Sequence, residues 1–148
     1  MSLANNKTAY HNYEISDTFV AGMVLSGPEV KAAKAGQIDL KGAYAAINNQ
    51  GEAWLYNCYI AAYKPARVLQ KDYDPNQARK LLLTKKEISS LIGKQKEKGI
   101  SLVPIEIFLA HNLIKIKVGL GRGKKNFDKR EAIKKRDFER RKQKILND

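Results

Sequence analysis

Apolar positions along the first hundred and twenty residues change period several times, and each change marks an element. From Tyr13 to Leu25, β-branched and aromatic residues mix with polar ones, predicting a first strand that breaks near Ala21-Gly22. Gly27-Pro28-Glu29 then reads as a helix start, with Pro in the first turn and an acidic residue beside it. That helix should run through Val30-Lys31-Ala32-Ala33-Lys34 and stop at Gly36. Beyond Ile38 and Leu40, the runs Tyr44 to Ile47 and Ala53 to Ile60 flank the turn residues Asn48-Asn49-Gln50-Gly51, a hairpin signal.

The stretch from Ala61 to Asp74 has no period, and Asp74-Pro75 resembles a cap followed by a first-turn proline. After Arg79-Lys80-Leu81-Leu82-Leu83, the pair Thr84 and Glu87 forms a capping box that opens a helix. Its Ile88, Leu91 and Ile92 share one face, and Gly99 ends it. Two alternating runs close this part of the chain. Leu102 to Leu109 and Ile114 to Val118 flank a short turn at His111-Asn112, so Ile114, Ile116 and Val118 should face inward and Lys115 and Lys117 outward. About six short strands with two or three interposed helices predict a mainly β fold, an antiparallel β-barrel of the OB type or a related small barrel.

Charge changes the picture at the end of the chain. The 148 residues carry 28 Lys+Arg against 15 Asp+Glu, a formal net of +13. Residues 1–121 hold 16 basic and 10 acidic residues, whereas residues 122–148 hold 12 and 5, so over half of the surplus lies in the last 27 residues. The large apolar residues of that segment, Phe127, Ile133, Phe138, Ile145 and Leu146, are too few for a core of their own. The expected organisation is a barrel over 1–121 and a basic tail over 122–148, disordered when free and helical on a polyanion, because phosphates would relieve its self-repulsion. A solvated tail without a defined partner is the plain alternative. A cationic surplus of this size points to nucleic acid first. An anionic membrane surface comes second, since neither a long apolar stretch nor a lipidation motif accompanies the charge.

The candidate chemistry is sparse. One cysteine, Cys58, forbids an intrachain disulfide, and with only His11 and His111 beside it a Cys/His zinc site is excluded by count. Cys58 lies in the apolar run Trp54 to Ile60 and reads as a small buried strand residue rather than a nucleophile. No nucleophile–base set stands out, so neither catalysis nor a cofactor is expected. Gly119-Leu120-Gly121-Arg122-Gly123-Lys124-Lys125 is glycine-rich and basic but lacks the Walker A spacing and its Ser or Thr. A flexible hinge, with phosphate contacts from Lys124 and Lys125, fits it better. Tyrosines and Trp54 could supply stacking platforms for bases, but most sit at strand positions and read as packing; Tyr10, Phe127 and Phe138 are the exceptions, with polar neighbours and no obvious core nearby. Met1 to Tyr10 is polar, without the apolar core of a signal peptide, and a cytoplasmic location is expected.

Several segments in order resemble the SsrA-binding protein family, also called small protein B. They are Asn6-Lys7 with His11 and Tyr13, Ala21-Gly22, Gly27-Pro28-Glu29-Val30-Lys31 with Ala35-Gly36, and Asp74-Pro75 with Arg79-Lys80-Leu81-Leu82-Leu83. Lys115-Ile116-Lys117-Val118-Gly119, then Arg122-Gly123-Lys124-Lys125 with Asp128-Lys129-Arg130, complete the set. The resemblance implies an OB-type barrel that grips the tRNA-like domain of transfer-messenger RNA (tmRNA) and enters stalled ribosomes with it. Its tail would then reach the decoding centre of the small-subunit rRNA and become helical. Carried over by position, Asn6, Lys7, Arg79, Lys80 and Leu82 belong to the RNA-gripping face, with at least one of Leu81 to Leu83 in the core. Gly123, Lys124 and Lys125 fall at the junction to the tail. Phe127, Asp128, Lys129, Arg130 and Phe138 fall on the tail that serves tagging.

The resemblance further implies a monomer, and contacts with alanyl-tRNA synthetase and elongation factor Tu made through tmRNA. The sequence departs from the family at Val20, where many members carry an acidic residue, and at Thr8-Ala9-Tyr10, usually more basic. It also departs at Phe127 for a histidine and at Phe138 for a tryptophan. The rival function is a ribosomal or ribosome-assembly protein, a barrel whose basic extension threads rRNA.

Overall fold

The structure, a computed structural model, describes residues 1–63, 72–96 and 99–123. The strands are β1 (Ser2–Asn5), β2 (Tyr13–Met23), β3 (Ile38–Asp39), β4 (Tyr44–Ile47), β5 (Ala53–Tyr56), β6 (Tyr59–Ile60), β7 (Arg79–Leu82), β8 (Ile100–Ala110) and β9 (Leu113–Gly123). The helices are α1 (Ala9–Asn12), α2 (Gly27–Lys34) and α3 (Lys85–Gln95). All pairings are antiparallel, and the order β8-β4-β5-β7-β2-β9 returns to β8, closing a six-stranded ring with β1 added outside on β8. Closure removes most exposed edges, which is how a sheet this short keeps its backbone groups paired. The seam between β4 and β8 is the narrowest, a single register pair, Ala45 with Leu102.

The predicted alternation at the end of the barrel is what the fold uses. Ile114, Ile116 and Val118 are buried inside, and Lys115 and Lys117 lie on the outer face. The β8–β9 hairpin turns at His111 and Asn112, both at positive φ (50° and 63°), the conformation a two-residue turn of this hand requires. The main core gathers Leu40, Leu55, Ile60, Leu81, Leu91, Leu102, Ile107 and Leu120 with the small Ala32 and Ala33 of α2. A second cluster, Ala9, Val103 and Ile105 with Tyr13 and Ile15 against it, lies where α1 covers β8 and β2. Leu81 is the core member of the leucine run, while Leu82 is exposed.

Both internal helices start as the sequence directs. Thr84 and Glu87 form the capping box of α3, and Ser26 with Glu29 forms another at α2, whose Pro28 occupies the first turn. Gly36, at φ +80°, follows α2 in the left-handed conformation that glycine adopts without steric penalty. Leu91 alone of the α3 face is fully buried; Ile92 stays partly open.

Four expectations change. The β2 strand runs unbroken through Ala21-Gly22, because Gly22 pairs with Lys115 of β9 on one side and Leu82 of β7 on the other. Its irregularity falls instead between Ile15 and Thr18, within the exposed run Ser16-Asp17-Thr18. The run Ala53 to Ile60 splits into β5 and β6 at Asn57, whose φ is 58°. Cys58 is therefore buried, as expected, but in the connection rather than in a strand. Asp74-Pro75 opens a turn and no helix: the Asp74 carboxylate accepts from the Asn76 amide at 2.9 Å and its carbonyl from the Gln77 amide at 3.2 Å.

The polar N-terminus, finally, folds into β1 and α1. Lying outside the ring, β1 needs no continuous apolar face. Asn6 fixes this segment, its amide N–H donating to the Ile105 carbonyl and its side-chain Nδ2 to the Pro104 carbonyl, both at 2.8 Å.

Candidate nucleic-acid interface

The outer face of β7, β2, β9 and β8 is laid out by register. Leu82 lies opposite Gly22, Gly22 opposite Lys115, and Lys115 opposite Phe108. One step along, Val20 lies opposite Lys117 and Lys117 opposite Glu106. Leu82 is 54% exposed, Val20 49% and Leu113 61%. Leu82 and Leu113 border a groove of about 230 Å³, lined also by Gly22, Met23, Leu25, Val30 and Lys115. A mostly apolar groove lined by one lysine can pack an unpaired base while the ammonium meets phosphate.

Lys80 lies on the same outer side, paired in register with Trp54, and its Nζ is 3.0 Å from the Glu52 carboxylate. The hydrogen bond from Lys80, with a second from Asn48, holds the Glu52 carboxyl below the usual carboxylate range. A phosphate reaching Lys80 must share its ammonium with Glu52 or displace it, which weakens that contact.

Arg79, expected on the RNA-gripping face, is placed differently. Its side chain is buried, with the guanidinium enclosed by Glu29, Tyr73 and the carbonyls of Cys58 and Pro75. Nε donates to Glu29 Oε2 at 2.8 Å and Nη2 to the Tyr73 hydroxyl at 2.8 Å, so its donors are committed within the fold. Burial by itself would raise the Glu29 carboxyl. The Ser26 amide, then Arg79 and Gln77, outweigh that and leave it below the ordinary value. Burial pushes the Tyr73 phenol up to about 12, so it stays protonated, within reach of the Ile60 carbonyl at 2.8 Å. This network ties α2, β6 and β7 to the 73–77 turn.

The remaining expected residues separate. Leu82 lines the groove, whereas Asn6 borders a second hollow of about 210 Å³ beside Tyr13 and Tyr44. Lys7 is exposed next to it. Gly123 ends β9, and Lys124, Lys125, Phe127, Asp128, Lys129, Arg130 and Phe138 lie outside the described residues.

The glycine-rich run is strand as far as Gly123, not a hinge or phosphate loop over that span. Gly119 and Gly121 are paired on both sides, with Thr18 and Val103, and with Ile15 and Ser101. A Cβ on Gly119 would stand 2.8 Å from Ile15 Cγ2, and one on Gly121 2.9 Å from Tyr13 Cβ. Glycine is there so that the second apolar cluster can lie flat on β9. Sequence reasoning also missed the groove itself. The outward alternation of Lys115 and Lys117 was its one legible signal.

Among the described residues, no three His, Cys, Asp or Glu side chains gather to hold a metal. No helix among them is long and apolar enough to cross a membrane.

A closed ring of six antiparallel strands, with short helices against it and a cationic, partly apolar outer face, defines a small β-barrel of the OB type. The family described as SmpB protein matches residues 3–148, and the chain belongs to that family. The SsrA-binding protein of Persephonella marina is 49% identical over 138 residues, spanning 93% of this chain and 89% of that protein. The SsrA-binding protein of Bacillus subtilis is 42% identical over 146 residues, spanning 99% and 92%. Among solved structures, a chain from "tmRNA-SmpB: a journey to the center of the bacterial ribosome" superposes with a TM-score of 0.65 at 40% identity, covering 87% of this chain and 92% of that one.

Proposed function

We propose that this protein is a non-enzymatic RNA-binding adaptor that binds the tRNA-like domain of tmRNA and delivers it to stalled ribosomes for trans-translation. The observation that carries the reading is the likeness, over 87% of the chain, to the chain solved in the tmRNA-SmpB work. The barrel face supports it: exposed Leu82 and Val20 beside Lys115 and Lys117 suit structured RNA with unpaired loop bases. A-form helices hide sequence in a deep major groove, so such a face reads shape, backbone and splayed bases.

In this reading Leu82, Lys80, Lys7 and Asn6 belong to the RNA-facing surface, and Arg79 supports it from beneath. Residues 122–148, net +7, add electrostatic attraction and take helical form at the decoding centre. Asp128, Lys129 and Arg130 serve tagging there, with Phe127 and Phe138 as the tail aromatics. The protein works in the cytoplasm as a monomer with one tmRNA. Alanyl-tRNA synthetase and elongation factor Tu are met through the RNA.

Ribosome profiling by sucrose gradient tests the reading. The adaptor should concentrate on ribosomes stalled on mRNA without a stop codon and be scarce on translating ones. Stoichiometric presence on all ribosomes would replace it with the ribosomal-protein reading.

A further inference from the structure

We infer that Glu29 and Arg79 are positioning residues for RNA selection: the buried pair sets where α2 lies against β7, and with it the spacing of the groove that Val30 and Leu82 line. The inference rests on the RNA reading above and concerns two side chains of the interior.

The groove takes its lining from two elements held in different ways. Gly22, Met23 and Leu82 belong to β2 and β7, kept in register by the pairs Gly22–Leu82 and Met23–Leu81. Leu25 and Val30 belong to the lead into α2 and to α2 itself. The strand ladder fixes the first group and leaves the second to α2. The buried residues of that helix are Glu29, Ala32 and Ala33. Alanine methyls offer little to interlock, and apolar contact carries no direction. Directional bonds therefore set the place of α2, and Glu29 makes them.

The Glu29 carboxylate divides the work between its oxygens. Oε1 accepts from the Ser26 amide at 3.0 Å, part of the capping box that starts the helix. Oε2 accepts from Arg79 Nε at 2.8 Å, the Tyr73 hydroxyl at 3.1 Å and Gln77 Nε2 at 3.2 Å. One planar group thus joins the start of α2 to β7. Val30 is the next residue on the helix, and Leu82 ends the strand that Arg79 begins. The guanidinium is held in turn by the Cys58 and Pro75 carbonyls, so its orientation is fixed as well as its charge. Lysine supplies the charge without the fork and does not reproduce that orientation.

The test uses the full chain and compares Arg79→Lys with Gly121→Ala, which presses on Tyr13, Ile15 and Val103 rather than on any residue lining the groove. Binding is read at a temperature where far-UV circular dichroism shows each variant folded. Filter binding near physiological salt gives the affinity for the tRNA-like domain of tmRNA relative to bulk tRNA. Arg79→Lys should lower that ratio about tenfold, within the range for substitutions that act on a ligand from a distance. Bulk tRNA binding and its salt dependence should stay as in the wild type, and Gly121→Ala should keep the ratio. Tyr73→Phe, which removes one hydroxyl from the network and serves where Arg79→Lys does not fold, should lower the ratio about threefold. Methyl NMR spectra of the free protein add a readout without RNA: the Val30 and Leu82 methyls should shift in Arg79→Lys and Tyr73→Phe and hold in Gly121→Ala. An unchanged ratio in the folded network variants overturns the inference, as does an equal loss in Gly121→Ala or a set of unmoved methyls. If the wild type prefers neither RNA while those methyls still respond to Arg79→Lys, the proposed function fails, and RNA selection with it, while the spacing role of the pair stands.

Discussion

Arg79 and Glu29, fifty residues apart in the chain, meet in the interior with Nη2 2.7 Å from Oε2 and both side chains almost wholly buried. Each charge is satisfied several times over, Glu29 by Ser26, Gln77, Tyr73 and Arg79, and Arg79 by two carbonyls besides. Breaking such a pair from one side leaves a charge uncompensated in the interior. Arg79→Met should therefore cost about 3–5 kcal/mol in urea unfolding, and Glu29→Gln with Arg79→Met together should cost less than Arg79→Met alone. If Arg79→Met is neutral, the pair is not the fastening described here.

The same pair sets an acid response. Glu29 titrates in the fold below its ordinary value of 4.5. Its stabilising contribution is thus fully present above 4.5 and disappears as pH falls from there through the lower folded-state value. The urea midpoint should drop over that window in the wild type, and the drop should be smaller in Glu29→Gln. Parallel acid profiles for the two proteins would place the effect elsewhere.

How much of this was legible in the sequence depends on how far apart the partners lie. The capping box of Thr84 and Glu87, the His111-Asn112 turn and the in–out alternation of Ile114 to Val118 are local and read directly. The Glu29–Arg79 pair was hidden, because nothing near Arg79 distinguishes a buried guanidinium from a phosphate-seeking one, and the neighbouring Lys80 suggests the latter. The β1 strand was hidden for a related reason: it owes its order to β8, a hundred residues away. Gly119 and Gly121 misled by composition, since glycine beside arginine and lysine looks alike in a phosphate loop and in a strand pressed by Ile15 and Tyr13.

That pressure gives a stability test. Alanine at Gly119 or Gly121 must push aside Ile15, Ile105, Val103 or Tyr13, contacts at 2.8–3.1 Å, and should destabilise by about 1–3 kcal/mol. Gly123→Ala meets nothing within 4 Å and should leave the thermal midpoint close to wild type. A hinge role for the run would predict tolerance at all three positions.

Cys58 offers a check on the core. Burial raises its thiol to about 11, so at pH 8 it is almost entirely protonated as well as inaccessible. Alkylation by iodoacetamide should be negligible in the native protein and rapid in urea. Fast native labelling would mean that the β5–β6 connection opens.

Removal of residues 122–148 should weaken binding of the tRNA-like domain only moderately while abolishing tagging on stalled ribosomes. Complete loss of RNA binding would show that the barrel face does not act by itself.

The most direct test is competition for the full chain among the tRNA-like domain of tmRNA, bulk tRNA and an unrelated hairpin, read by filter binding across a salt series with Leu82→Glu in parallel. A basic protein with electrostatic affinity alone binds all three alike and loses them together as salt rises. The account predicts that the tRNA-like domain keeps a clear advantage near physiological salt and that Leu82→Glu loses it without losing stability. Equal binding of the three RNAs by the wild type would contradict it.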